Sequence, residues 1–130
     1  KRLDPSACVT VQPMAQSGFE VMLGAARLHD TPLMAAGMGG IYAEAFQDMA
    51  FRLAPLQEGQ AERMLQSLRC APVLNGFRTL PLDRAGVCQL LQRLSELMQA
   101  FAQIREVDLN PCRVYENGCA ILDARIVLQL

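Results

Sequence analysis

The sequence predicts a single α+β domain over residues 1–130, in which two main helices cover a mainly antiparallel sheet that ends in a C-terminal β-hairpin. Two observations carry this prediction. An apolar stripe at helical spacing runs along one long segment, and two strand-like runs flank Asn117-Gly118, the dipeptide best suited to a two-residue type I′ turn. With 52% hydrophobic and 19% charged residues, the chain has the composition of a globular domain with a real core.

Three other segments have the alternation and the turn signals of strands. We expect strands over residues 9–14 and 19–28, joined by a turn at residues 16–18. A third strand is expected over residues 48–56, where Pro55 closes the run. His29 follows the second strand and is most simply a residue of a surface turn.

Two segments have helical periodicity. In residues 57–68 the apolar side chains fall at i, i+3, i+4 and i+7. Asp83 is a predicted N-cap for a longer helix that ends near residue 103. The apolar stripe of this longer helix consists of Val87, Leu90, Leu91, Leu94, Leu97, Met98 and Phe101. We expect the stripe to pack on the apolar face of the hairpin.

The hairpin register follows from placing Asn117 and Gly118 at the turn centre, which sets Cys112 opposite Asp123. Because side chains alternate along a strand, the hairpin then has two different faces. The apolar face carries Val107, Leu109, Pro111, Ala120, Leu122, Ala124, Ile126 and Leu128. The polar face carries Glu106, Asp108, Asn110, Cys112, Asp123 and Arg125.

The polar face of the hairpin is a candidate metal site. Asp108, Asn110 and Asp123 supply the oxygen ligands that Mg²⁺ prefers, usually one or two carboxylates together with phosphates and water. The alternative is a solvated strand face, which is common in antiparallel sheets.

Composition excludes several classes of function. The net charge of −1 gives no electrostatic footprint for nucleic acid or an anionic membrane, and no apolar run approaches the length of a membrane span. Five cysteines without a CxxC pair, beside one histidine, do not predict a zinc site. Reduced thiols in a cytoplasmic protein are the simpler interpretation.

Two further features could bind an anion. Gly37, Gly39 and Gly40 fall within four residues, where the backbone can approach a ligand closely and present N–H groups. No Lys-Ser/Thr follows, so this is not a Walker-type loop. Arg78 follows Gly76-Phe77 and could bind phosphate through its planar guanidinium group, although a surface ion pair explains it equally well.

These motifs resemble a known family. The end of the chain is similar to the ELDINP…G…LDAR end of the ATP-grasp domain in NDP-forming acyl-CoA synthetases. The matching residues are EVDLNP (106–111), then Asn-Gly, then LDAR (122–125). These synthetases are relatives of the succinyl-CoA synthetase β subunit. DMAFRLAPL (48–56) matches the family's DVAFRLAPL run almost letter for letter. The glycine run resembles its GLGG(I/V) pattern, and Gly76-Phe77-Arg78 its G-(Y/F)-R-G turn.

The resemblance implies an ATP-grasp subdomain that positions ATP phosphates for reversible acyl-CoA formation, with ATP and Mg²⁺ as cofactors. By matching position, Asn110 and Asp123 would hold Mg²⁺ at the phosphates, with Asp108 in the acidic position just before. Nucleotide contacts would come from Glu20, Gly37, Gly39, Gly40 and Arg78. The expected partners are ATP or ADP, the remaining ATP-grasp subdomain and the CoA-binding domains of a longer parent protein, without which this chain should show no turnover.

Other functions stay open from the sequence. Some proteins of this family fuse the region to a GNAT acetyltransferase domain, where it senses a ligand. The segment from Asp30 to Gly37 is about three residues shorter than the family's, and Thr79 replaces a glycine, which favours that regulatory function. Asn110 and Asp123 favour the catalytic one. A non-catalytic interaction module is the third alternative.

Overall fold

The structure, a computed structural model, describes residues 8–40 and 43–129. Its elements are β1 (Phe19–Leu28), β2 (Thr31–Met38), α1 (Ala43–Phe46), β3 (Met49–Leu53), α2 (Gln60–Ser67), α3 (Ala71–Leu74), α4 (Arg84–Ala100), β4 (Ile104–Val114), β5 (Cys119–Ile121) and β6 (Ala124–Leu128). The predicted fold class is confirmed, with α2 and α4 as the two main helices and α1 and α3 as single turns.

The strands form one antiparallel sheet in the order β3-β2-β1-β4-β5, and β6 also pairs with β4. One face of the sheet is covered by α2 and α4, and the side chains between these layers form the core. On β1 the buried residues alternate, with Val21, Leu23 and Ala25 facing the helices. We call the other sheet face, which α2 and α4 leave uncovered, the open face.

Helix α4 begins where the sequence predicts. The Asp83 carboxylate accepts a hydrogen bond from Gly86 N at 2.9 Å, which satisfies one of the free N–H groups of the first turn. Four residues of the predicted stripe, Val87, Leu91, Leu94 and Met98, are buried. Phe101 lies past the helix end and remains 46% exposed. The C-terminal end of α4 is held by Arg27, which donates to the carbonyls of Met98, Phe101 and Ile104.

The predicted hairpin register is wrong by two residues. Cys112 pairs with Ile121 rather than Asp123, and Asp108 pairs with Arg125. The last ladder pair is Val114–Cys119, so the loop contains four residues, 115–118. Tyr115 N donates to Gly118 O across the ends of this loop, and Gly118 takes the positive φ of +89° that a glycine tolerates. An offset of two keeps each side chain on its face, since the side-chain period of a strand is two.

Strand β4 changes its alternation at Asn110 and Pro111. Its register with β1 shifts between the Val21–Cys112 and Leu23–Leu109 pairs, which is a β-bulge on β4. The prediction that Cys112 belongs to the polar face is therefore wrong. Cys112 lies in the core with no exposed surface, and burial raises the pKa of its thiol to about 11.

Two other expectations are wrong. Residues 9–14 form no strand, and Val9, Val11 and Met14 are 83–96% exposed. Both edges of β1 are occupied by β2 and β4, so this alternating segment cannot pair with β1 as the predicted hairpin requires. The long helix also leaves the end of the hairpin's apolar face uncovered, because α4 packs over β1, β2 and β4, and Ile126 and Leu128 remain 53% exposed.

Within the residues that the structure describes, no helix is both long and apolar enough to cross a membrane.

Candidate functional site

The open face of the sheet is floored by small residues. Directly paired positions place Gly24 between Ala35 of β2 and Asp108 of β4. A hollow of about 250 Å³ lies over these positions. Phe51 and Leu33 stand on one side of it, and the carboxylates of β4 stand on the other. The face therefore offers an apolar floor beside a row of acidic groups.

The observed register brings Asn110 and Asp123 together. The β4–β6 ladder ends with Leu109 opposite Ala124, and the β4–β5 ladder begins with Cys112 opposite Ile121. Leu122 N donates to Pro111 O at 3.0 Å in the gap between the two ladders. Continuing this register sets Asp123 directly opposite Asn110, where Cβ atoms of paired residues are about 4.5–5.5 Å apart. This is closer than the diagonal placement that the predicted register gave.

Asp108 adds an oxygen without a partner. Its Oδ1 is buried and accepts no hydrogen bond within the described residues. The cross-strand neighbour Arg125 forms an ion pair with Glu106 instead. Buried carboxylate oxygens normally have a donor, so this one is suited to a cation or to a donor that a ligand brings.

The protein side chains alone do not enclose an ion. No group of three or more His, Cys, Asp or Glu residues within the described ranges could hold a metal. Asn110, Asp123 and Asp108 present oxygen donors along one short stretch of sheet, and this donor set fits a hard divalent cation that takes its remaining ligands from phosphate and water.

Glu20 lies on the open face but is engaged within the protein. Its Oε1 pairs with Arg113 Nη2 at 2.5 Å, across the β1–β4 ladder. Arg113 also donates from Nη1 to the Gln16 carbonyl at 2.9 Å, which ties the segment before β1 to the sheet. Any contact of Glu20 with a ligand would involve the oxygen that Arg113 does not hold.

The three predicted glycines lie at the end of β2, next to Glu20. Gly37 is a β2 residue paired with Met22 and Met49. Gly39 donates its N–H to Glu20 O at 2.9 Å, and a Cβ added to it would lie 2.7 Å from the main-chain carbon of Val21. Gly40 has a φ of +70°. Close packing against β1 therefore requires a glycine at position 39, whether or not a ligand binds there.

Arg78 lies in the loop between α3 and α4. It is exposed, has a φ of +57°, and its guanidinium carbon lies 5.4 Å from the centroid of the Phe77 ring. This contact does not involve the open face, in contrast to those of Glu20 and the glycines.

Asp48 has a structural role that the sequence did not reveal. It is only 7% exposed and accepts hydrogen bonds from Arg69 N at 2.7 Å and Cys70 N at 2.8 Å. Burial acts to raise the pKa of this carboxyl, but these bonds outweigh it and hold the pKa below its usual value of 3.8. Burial, together with a hydrogen bond between the Cys70 thiol and the Asp48 carboxylate and the negative charge of Asp48, raises the pKa of Cys70 to about 12.

Comparison with known proteins identifies the family. Residues 4–128 match the ATP-grasp domain. The chain belongs to the ATP-grasp family. Its relatives include ADP-forming acetate–CoA ligase I of Archaeoglobus fulgidus, which is 37% identical over an alignment of 122 residues that covers 92% of this chain. The β subunit of ADP-forming acetate–CoA ligase I from Pyrococcus furiosus is 31% identical over 122 residues, also 92% of this chain.

A solved structure has the same ATP-grasp fold. Dinucleotide-forming acetyl-coenzyme A synthetase 1 of Ca. Korarchaeum cryptofilum, in complex with coenzyme A and Mg-AMPPCP, superposes with a TM-score of 0.84 at 36% identity, over 88% of this chain and 55% of that one. Its apo form gives a TM-score of 0.85, over 91% and 57%. The chain spans 18% of the Archaeoglobus ligase and 53% of the Pyrococcus subunit, so it corresponds to one part of these enzymes.

Proposed function

We propose that this ATP-grasp domain binds a magnesium nucleotide on its open face and serves an ADP-forming acyl-CoA synthetase. The observation that carries the proposal is the placement of Asn110 opposite Asp123, beside the unpartnered Oδ1 of Asp108. The relatives reported above are ligases of this class, and the solved relative was captured with Mg-AMPPCP.

Asn110, Asp123 and Asp108 would hold the metal. Bound Mg²⁺ would neutralise negative charge on the nucleotide phosphates, which is the main electrostatic requirement of phosphoryl transfer. The residues of this chain would contribute position. Asn110 is a residue of β4, and Asp123 lies in the two-residue gap between β5 and β6, whose pairs with β4 on either side fix its place. A few protein oxygens without phosphate make a weak Mg²⁺ site, so metal and nucleotide should bind together.

The nucleotide-binding residues are Glu20, Gly37, Gly39, Gly40 and Arg78. The first four meet at one end of the open face, where Gly39 contacts the Glu20 main chain. Arg78 lies apart from them, on the exposed loop between α3 and α4. The assignment of Arg78 to nucleotide binding therefore does not depend on the other four residues.

The domain would work with partners that complete the site. They are the remaining ATP-grasp subdomain and the CoA-binding domains, and the 130 residues alone would show no turnover. The relatives reported above are synthetases, so the GNAT acetyltransferase alternative gains no support from them. The cytoplasmic location expected from the cysteines stays a prediction.

The test is the change Asp123→Asn in the full-length parent protein, measured by titration with Mg-ATP. The change removes one charge and nearly keeps the side-chain shape. We expect nucleotide affinity in the presence of Mg²⁺ to fall about tenfold or more, as metal affinity does when its ligation is disturbed. Stability should change by no more than about 0.5 kcal/mol, because Asp123 is exposed.

The matched control is Glu116→Gln, which removes the same charge from an exposed position in the loop of the same hairpin. This control should bind Mg-ATP as the wild type does. Equal affinity in all three proteins would refute the metal assignment and leave the polar face as a solvated surface or a protein-binding site.

A further inference from the structure

Asp83 makes two connections with one carboxylate. Oδ1 accepts from Gly86 N at 2.9 Å and caps α4, while Oδ2 accepts from Gly118 N at 2.9 Å in the loop between β4 and β5. Its main-chain N–H also donates to Tyr115 O at 2.7 Å. The N-terminus of α4 is thereby tied to both ends of the hairpin loop.

Apart from its pairing with β4 and the bond from Leu122 N to Pro111 O, the strand that leads to Asp123 has few contacts that hold it. β5 has three residues, lies at the edge of the sheet and pairs with β4 alone. The ladder is interrupted at Leu122 and Asp123 before β6 resumes it. A short edge strand with a nearby break frays easily unless something fixes its other end. In this domain the other end of β5 is the loop that Asp83 holds.

The anchor itself is rigid. Helix α4 carries Val87, Leu91 and Met98 with no exposed surface, so its N-terminus cannot shift without disturbing the core. Asp83 transmits this position to Gly118, five residues before Asp123.

We propose that Asp83 is a positioning residue for the metal site, which holds the β5 strand so that Asp123 stays opposite Asn110. This inference rests on the proposed function of the open face. It goes further, because it makes the N-cap of α4, a residue outside the metal site, responsible for part of the geometry of that site. Capping alone would make Asp83 a stability residue. The second bond, to Gly118, gives it an effect on metal binding.

The change Asp83→Ser separates the two roles. A serine caps a helix about as well as an aspartate, but one hydroxyl cannot also reach Gly118 N. In the full-length protein we expect the Mg²⁺ concentration for half-maximal ATP binding to rise about threefold to tenfold. The stability-matched control is Ser95→Ala, which removes the acceptor of Leu56 N elsewhere on α4. The control should lower the melting temperature without changing the Mg²⁺ requirement.

A double-mutant cycle with Asp123→Asn completes the test. If Asp83 acts through Asp123, adding Asp83→Ser to the Asp123→Asn protein changes the Mg²⁺ requirement no further. An unchanged Mg²⁺ requirement in Asp83→Ser, while Asp123→Asn weakens binding, overturns this inference and leaves the proposed function intact. Full additivity of the two changes also overturns it. An unchanged requirement in both single variants overturns the proposed function together with the inference.

Discussion

Replacing Asp48 by asparagine should destabilise the fold far more than its conservative chemistry suggests. Asp48 connects the start of β3 to the turn between α2 and α3 through two short bonds, from Arg69 N and Cys70 N. In Asp48→Asn one acceptor oxygen becomes an amide donor that faces a main-chain N–H. One charge-assisted bond is lost, and a buried N–H is left without a partner.

The expected loss is about 2 kcal/mol in the free energy of unfolding, since hydrogen bonds to charged groups contribute roughly 1.5–3 kcal/mol each. At about 4 °C per kcal/mol for a domain of this size, the melting temperature should fall by roughly 8 °C. Thermal unfolding followed by circular dichroism at pH 7 measures the change. The exposed turn residue Asp30 gives the control Asp30→Asn, which should stay within about 0.5 kcal/mol of the wild type.

The pH dependence gives a second readout of Asp48. Its pKa in the folded protein lies below the usual 3.8 of an unfolded aspartate. The carboxylate therefore contributes its full stabilisation above pH 3.8 and loses it as the pH falls through the folded pKa. The stability difference between wild type and Asp48→Asn should be constant from pH 7 to pH 5 and shrink below pH 4. A melting temperature equal to that of the wild type at pH 7 would refute the reasoning.

Two further changes test the frame around the site. Arg27→Met should lower the free energy of unfolding by about 2 kcal/mol in urea titrations, because the carbonyls at the end of α4 lose a charged donor. Arg27→Lys keeps a positive charge and should recover part of this loss. Gly39→Ala should cost more than about 1 kcal/mol in thermal unfolding, because its Cβ would overlap the main chain of Val21. In the control Gly24→Ala the added Cβ would lie 3.4 Å from Val107 O, so the free energy of unfolding should fall by less than about 0.5 kcal/mol. Equal losses of stability in the two glycine variants would contradict the packing argument.

The candidate metal site could be predicted from the sequence despite an error in the hairpin register. The predicted turn was two residues too short, yet Asp108, Asn110 and Asp123 remained on one stretch of sheet because the error equalled a full strand period. Alternation of polar and apolar residues is a local property, so it survives an error in pairing. The pairing of Asn110 with Asp123 depends on the turn and could not be read from alternation alone.

The features that the sequence did not reveal depend on distant contacts. Asp83 reaches Gly118 across 35 positions, and Glu20 meets Arg113 across 93. No local pattern marks a residue for such a contact. The bulge at Asn110 and Pro111 also depends on a distant part of the chain, because a bulge exists only relative to the paired strand β1. Only this pairing shows that the bulge moves Cys112 into the core.

The distribution of charge on the open face supports a cation at its centre. Its flanking carboxylates are neutralised within the protein, Glu20 by Arg113 and Glu106 by Arg125. Between these two pairs lies Asp108, whose buried oxygen has no partner among the described residues. A face built only for solvation would expose such an oxygen to water or pair it, since a buried unpaired acceptor costs roughly 1–3 kcal/mol. A ligand that brings positive charge to Asp108 would offset that cost, and the proposed magnesium nucleotide would bring it.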